Sequence, residues 1–351
     1  MIIGACGYGA TGSSIITDLL REYSDVQVFD DFEFSFAYRV DGLQDLEYHV
    51  VKQYSKAISG DTAIRRFLKA SDYIYTPLIH KPTDAATFKR ITKKFIDSIV
   101  QTEFIGMESI DVNSGAVMKN IVNLGMKKVI LPKFERKLGH QTYGWPNRKI
   151  FVCVKPQNFY DAARAYIRDI LTEMGADFKK TIVIDQPFEG NAPEQSYKFF
   201  DDSIAIVIDR DPRDLFLEEK YALNGEARFT PRRDVRDFVE YFKRVRTDTA
   251  KNSDRVLVVR FEDMIYEYDK SVAQIEAFTN LHNHKLKKKY FNPKRSINNT
   301  QLIRRHPEEI DNIRYIEKKL ADYLYPFENY PDAEISGDVF LGSAKYYENK
   351  K

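Results

Sequence analysis

Cysteine is nearly absent from the chain: Cys6 and Cys153 are the only two in 351 residues. Two thiols build neither a disulfide framework nor a zinc cluster. Both stand in apolar, strand-like runs, IIGACG and IFVCVK, and are expected to be buried and inert. Net charge is close to absent as well, because 54 Lys and Arg against 52 Asp and Glu leave +2. That balance excludes a general polyanion binder, hence nucleic acid as a partner, and any anion site must be a local cluster. Long apolar runs are missing. No stretch approaches the ~20 residues of a membrane span. The first apolar run has no basic region before it and is short enough to be a first strand. A cytoplasmic protein without a membrane span is expected. There is no internal repeat and no low-complexity linker. At 43% apolar and 30% charged, the composition is that of an ordinary globular protein. The length favours one α/β domain over residues 1–351, carrying an insertion at about residues 40–150.

Aromatic residues and β-strand signals are plentiful. The N-terminus, MIIGACGYGATGSSIITDLL, reads as a strand, a Gly-rich turn and a helix with Ile15, Ile16, Leu19, Leu20 and Tyr23 at helical spacing. DVQVF is a second strand that ends in FDDFEFSF. This strand–turn–helix–strand unit predicts a parallel sheet. Helices are expected in KAISGDTAIRRFLKA, DAATFKRITKKFIDSIV, NFYDAARAYIRDILTEM, DKSVAQIEAFTNL and HPEEIDNIRYIEKKLADYL. Core strands are expected in IFVCVK, TIVIDQP, SIAIVIDRDP and VLVVRFED. Continuous apolar runs of this kind mark strands covered on both faces. The insertion reads as mostly helical and is assigned acceptor contacts.

GYGATGSS matches two templates at once. Residues 7–12 are a G-x-G-x-x-G, and residues 7–14 are a phosphate loop whose usual lysine is Ser13. A Gly-rich turn after a first strand presents backbone N–H groups to an anion. Gly7, Gly9 and Gly12 allow close approach, and Ser13 and Ser14 add hydroxyls. A Rossmann site, as in an NAD(P)-dependent epimerase or dehydrogenase, draws support from Asp30 and Asp31 at the end of the second strand. A P-loop kinase or NTPase lacks its lysine, and with it the main electrophile for a triphosphate. A sulfotransferase needs a backbone cradle, cations for a 3′-phosphate and a base, without a metal. A non-catalytic nucleotide-binding protein is a further alternative.

The segment SIAIVIDRDPRDLFLEEKY is the most specific in the chain. It runs an apolar strand into Arg-Asp-Pro-Arg-Asp and a helix, placing Arg210 at the strand's carboxyl end, where open α/β sheets bind ligands. Gln186 and Pro187 end another core strand at that edge, and Gln186 is a candidate for acceptor hydroxyls. Together with GYGATGSS and VLVVRFEDMIYEYDKSVAQIEAFTNL, this arrangement resembles the sulfotransferase family that uses 3′-phosphoadenosine 5′-phosphosulfate, in particular its bacterial carbohydrate and glycan members. The resemblance implies a central parallel sheet flanked by helices, a P-loop NTPase-like core with a mostly helical insertion. It also implies a small-molecule or glycan acceptor and no required metal. It places Gly9, Ala10, Thr11, Gly12, Ser13 and Ser14 around the 5′-phosphosulfate, and Arg210 and Arg213 at the 3′-phosphate. Arg260, Phe261, Glu262 and Asp263 match the R-[YF]-E-D segment. Two positions depart from the family: Ala10 stands where a cation is common, and Glu218 where a serine is. Lys294, Arg295 and Ser296, in FNPKRSINN, are the compensating candidates. Glu33 is the expected base, with Asp31 second and His80 and His140 as alternatives; Tyr143 and Trp145 suit sugar stacking.

Overall fold

Among the described residues the strands are β1 (Ile2–Gly7), β2 (Val26–Phe29), β3 (Thr102–Gly106), β4 (Arg148–Val152), β5 (Thr181–Asp185), β6 (Ser203–Asp209) and β7 (Val256–Arg260). The computed structural model describes residues 1–53, 57–74, 84–106, 125, 128–129, 132–133, 148–222, 230–332 and 339. His80, His140, Tyr143 and Trp145 lie outside the described residues. The chain divides into two compact units. One comprises Met1–Arg39, Tyr75–Asp84 and Ile167–Lys351, the other Val40–Ile74 and Ala85–Tyr166.

The first unit holds a five-stranded sheet in the order β2-β5-β1-β6-β7. Every pairing in it is parallel, with Ile2 beside both Ile182 and Ser203, and Asp209 beside Arg260. β1 is buried at all of its positions and β6 at all but its last. Parallel strands covered on both faces need such unbroken apolar runs. Helices flank the sheet: Ser14–Leu20 follows β1, and Tyr268–Thr279 follows β7. Ile15, Ile16, Leu19 and Leu20 of the first pack with Val272 and Ile275 of the second in one core, together with Ile3, Val183, Ile206 and Val259 from the strands. This is the expected α/β architecture.

The order of the strands has a functional consequence. In the dinucleotide-binding fold the second strand lies directly against the first. Here β5 lies between them. The acidic end of β2 is therefore one strand removed from the glycine loop, and the residue brought beside that loop is the end of β5. Asp30 is also committed, since it pairs with Arg21 and its side chain is only 5% exposed. The Rossmann alternative loses its ribose-binding acid on both counts.

The second unit packs the helices Ala57–Ile74 and Ala85–Ile99 with an antiparallel ribbon of β3 and β4. Phe67, Phe95, Phe159 and Tyr166 form its aromatic centre, with Phe95 stacked on Tyr166 at 4.9 Å between ring centroids. Buried Asp61 accepts from Phe151 N at 3.0 Å and from Arg65 Nε at 3.1 Å, fixing the ribbon to its helix. IFVCVK therefore does not resume the central sheet, as its apolar run suggests. It pairs with TEFIG, a strand whose residues are mostly exposed. An apolar run signals burial and not which sheet provides it. Both cysteines are buried and unpaired. Burial pushes the Cys6 thiol above its ordinary range and Cys153 up to about 12, so neither is a nucleophile.

Candidate phosphate-loop site

β1 ends at Gly7, and the chain turns through three positive-φ residues before the next helix: Gly9 at 81°, Ala10 at 53° and Gly12 at 91°. Gly12 is required twice over, because a Cβ there would also lie 2.6 Å from the ring of Phe261. Buried Thr11 closes the turn on itself by accepting from Tyr8 N at 3.1 Å. Among the described residues, none of the consecutive main-chain N–H groups from Gly9 to Ser14 donates to a protein acceptor. Part-buried donors left open in a row suit an anion.

Gln186, with φ of 48°, fastens this loop. Its Oε1 accepts from Gly7 N at 3.3 Å, and its Nε2 donates to Ser13 Oγ at 3.0 Å. These bonds span the two ends of the turn, so the side chain expected to hold an acceptor hydroxyl also fastens the loop. Its neighbour Asp185 is the last residue of β5, and its main-chain oxygen accepts from Phe34 N at 2.9 Å. Asp185 Oδ1 is buried without a protein partner. Burial, then the charges of Glu33 and Asp30, push this carboxyl up to about 8. Asp185 is the site residue that the sequence reading missed.

The FDDFEFSF stretch supplies the facing acids by simple alternation. Phe32, Phe34 and Phe36 are buried, while Asp31 and Glu33 are exposed. Phe34 N donates to Asp185 O at 2.9 Å, which brings Glu33 to the end of β5. Asp31 is one alternation further from that bond.

The RDPRD and RFED motifs meet the loop, but not as expected. Asp211 caps the helix Pro212–Leu217 and takes Arg213 Nη2 at 2.8 Å, while its own N–H donates to Glu262 Oε1 at 2.7 Å. Phe261 covers Gly12 and carries the Arg210 guanidinium 4.5 Å from its ring centroid. Arg210 is 1% exposed and pairs with Glu218 at 2.6 Å, and it also donates to Asn299 O. Its Nε is buried without an acceptor. The acid found in place of a serine is thus the arginine's own counter-ion. Arg213 is spent as well, on Asp211, on Glu317 at 3.1 Å and on Tyr325 O at 2.7 Å. Both guanidinium groups expected at the 3′-phosphate are thus paired with carboxylates of the chain itself. Glu218 and Asp214 hold the segment that follows the late basic turn: Asn299 Nδ2 donates to Glu218 at 3.1 Å, and Gln301 N and Leu302 N donate to Asp214 at 2.9 and 2.7 Å. Lys294 and Arg295 are exposed on the turn Pro293–Ser296 just before it, whereas Ser296 is buried.

The position of Ala10 also has a physical account. Its methyl packs against the core cluster of Leu215, Phe216, Phe238 and Phe242. A cation does approach the loop from another element. Arg246 lies 4.9 Å from the Tyr8 ring centroid and forks onto Asp209, at 2.5 Å from Nη2, so its charge is already balanced. Among the described residues no group of His, Cys, Asp and Glu is arranged to hold a metal, and no helix is long and apolar enough to cross a membrane.

No family model matches the chain, and no curated protein does. Two solved structures share a loose likeness. One is a sulfotransferase domain from the Synechococcus PCC 7002 olefin synthase, 11% identical, spanning 95% of this chain and 84% of its own, at a TM-score of 0.33. The other is a sulfotransferase domain from the curacin biosynthetic pathway, 11% identical, spanning 80% and 73%, at 0.30. At TM-scores of this size neither likeness bears on activity.

Proposed function

We propose that this chain is a sulfotransferase-type enzyme. The Gly9–Ser14 loop seats the phosphosulfate end of 3′-phosphoadenosine 5′-phosphosulfate, and the acceptor is a hydroxyl of a carbohydrate or glycan. The observation that carries this reading is the row of open N–H donors from Gly9 to Ser14, set beside an acid-lined strand edge. The serine at position 13 argues against a triphosphate donor, whose β/γ charge asks for the loop lysine. When bound, such a donor supplies the sulfonate. The chain's own residues orient its phosphates through the loop amides and take the acceptor proton on an exposed carboxylate. Glu33 holds that role, with Asp31 as the second candidate. The placement of an acid just after the second strand is also what favours a glycan acceptor.

The loop fits the phosphosulfate end, whereas Arg210 and Arg213 do not fit the 3′-phosphate. Lys294 and Arg295 are therefore assigned the far end of the donor. The buried Arg210–Glu218 pair favours a second reading, a nucleotide donor that lacks the 3′-phosphate. Calorimetric titration separates these readings. 3′-Phosphoadenosine 5′-phosphate is expected to bind, and Gly12→Ala to weaken it by about tenfold or more, equivalent to ~1.4 kcal/mol. Equal affinity for adenosine 5′-phosphate would select the second reading and remove Lys294 and Arg295. Tight NADP binding with no response to the bisphosphate would overturn both.

A further inference from the structure

Between residues 285 and 295 the chain carries six cations and no acid, in a protein whose net charge is only +2. A segment so charged repels itself, yet one buried acid holds its first half in a fixed turn. Glu22, fully enclosed just after the helix Ser14–Leu20, accepts from Lys288 N at 3.0 Å, Tyr290 N at 2.8 Å and Phe291 N at 3.0 Å. Its Oε2 also lies 2.6 Å from His284 Nε2. The His284 ring stacks on Tyr23 at 4.4 Å between centroids, and Leu286 N donates to Glu22 O at 3.2 Å. Lys288 is held at a φ of 60°, a conformation uncommon outside glycine. Backbone strain kept in place by this many bonds marks a turn built to present its side chains in one arrangement.

Leu281 and Phe291 anchor the turn in the core, whereas Leu286, midway between them, is 42% exposed. Around it Lys285, Lys287, Lys288 and Lys289 are all exposed, and among the described residues none of them forms an ion pair. The acids of the flanking elements are engaged: Asp25 accepts from Asn283 Nδ2 at 3.4 Å, and Glu276 from the Tyr23 hydroxyl at 2.9 Å. We propose that the Lys285–Lys289 turn is a docking surface for a bilayer rich in anionic lipid. Four uncompensated lysines attract anionic headgroups, and Leu286 among them adds an apolar contact with the interface. A polyanionic chain is served less well. Lysines offer point charges and not the forked contacts of arginine to phosphate. The Tyr290 ring, which could stack on a base, already faces Arg21 and Lys289, at 5.9 and 5.1 Å from its centroid. A lone exposed leucine is ordinary on any surface; its place inside an unpaired lysine cluster is what favours lipid. The surface is separate from the donor site, since Lys294 and Arg295 lie beyond it on the turn Pro293–Ser296. It therefore stands whether or not the chain transfers a sulfonate.

Vesicle co-sedimentation of the full chain tests this. The chain is expected to sediment with vesicles of phosphatidylcholine and phosphatidylglycerol, to ignore vesicles of phosphatidylcholine alone, and to be released by salt. The double change Lys287→Gln with Lys289→Gln is expected to weaken binding to the mixed vesicles by about 25-fold, about fivefold for each lysine. Leu286→Ser is expected to weaken it at every salt concentration where binding is measurable, because apolar contact is not screened. Thermal unfolding of both variants is expected to match that of the unaltered chain, since the altered side chains are exposed. Equal binding to both kinds of vesicle, no binding to either, or undiminished binding by the double lysine variant would overturn the proposal. Capture of heparin or single-stranded DNA through these lysines, with no binding to vesicles, would overturn it too and make a polyanionic chain the partner. None of these outcomes bears on the Gly9–Ser14 loop.

Discussion

Glu33 acts on Asp185 through charge, and the bond from Phe34 N to Asp185 O at 2.9 Å fixes the two segments together. Glu33→Gln therefore has two expected effects. Removing a like charge lowers the Asp185 pKa toward its ordinary value, so the fall in stability that this acid contributes ends at a lower pH. Turnover with a competent acceptor falls by ~10²-fold while donor affinity near neutral pH is retained. A pH profile of unfolding and a kcat measurement check the two separately. An unmoved profile would remove the electrostatic link, and unchanged turnover would remove Glu33 as the base. Glu33 could be found in the sequence because the F-x-F-x-F alternation exposes the residues between the phenylalanines. Asp185 was within reach of the same rule that singled out Gln186, since it too ends a core strand. Its perturbation was not, because that depends on β5 lying between β1 and β2, a long-range pairing that no local pattern encodes.

At the scale of elements, the RDPRD segment behaves as a spine. Arg210, Asp214 and Glu218 tie the end of β6 to residues 299–302, and Asp211 ties it to Glu262. The motif was legible as a strand running into a helix, and Asp211 and Pro212 do start that helix. Its chemistry is not legible, because a buried arginine paired with a carboxylate of its own segment has the same spelling as one that waits for phosphate. The spacing held the clue: Glu218 lies two helical turns beyond Arg210, close enough to reach back. Arg210→Ala is expected to cost about 3–5 kcal/mol in denaturant unfolding, since it leaves a carboxylate buried without its partner. The double change Arg210→Met with Glu218→Leu is expected to recover most of that loss. If Arg210→Ala were instead as stable as the starting protein and lost only donor affinity, the arginine would be a ligand after all. The same scale explains IFVCVK. Its apolar run marks a strand, but its partner TEFIG is too exposed to announce itself, so the sequence does not say which sheet the run joins.

For the whole molecule, the acids of the first unit set an unusual pH dependence. Asp185 is pushed up to about 8, and Asp214 and Glu262 are likewise raised, in each case first by burial. All three lie in the unit built on the five-stranded sheet. Above an ordinary carboxyl pKa near 4, the unfolded chain has released these protons and the folded unit still holds them. The unfolded state then binds fewer protons than the native one, so stability falls as pH rises, by ~1.4 kcal/mol per pH unit for each acid still protonated. The fall begins near the unfolded value and ends once the folded values are passed. Glu309, drawn down to about 2 by Lys220, Tyr221 and Asn312 against the opposing effect of burial, acts with the opposite sign but only in acid, below that window. Amide hydrogen exchange in β1, β5 and β6 is expected to show the first unit opening more readily at about pH 8 than at about pH 5.5, with a shallower slope in Asp185→Asn. A first unit that grows more stable across that interval would mean that these carboxyls are ionised in the folded state.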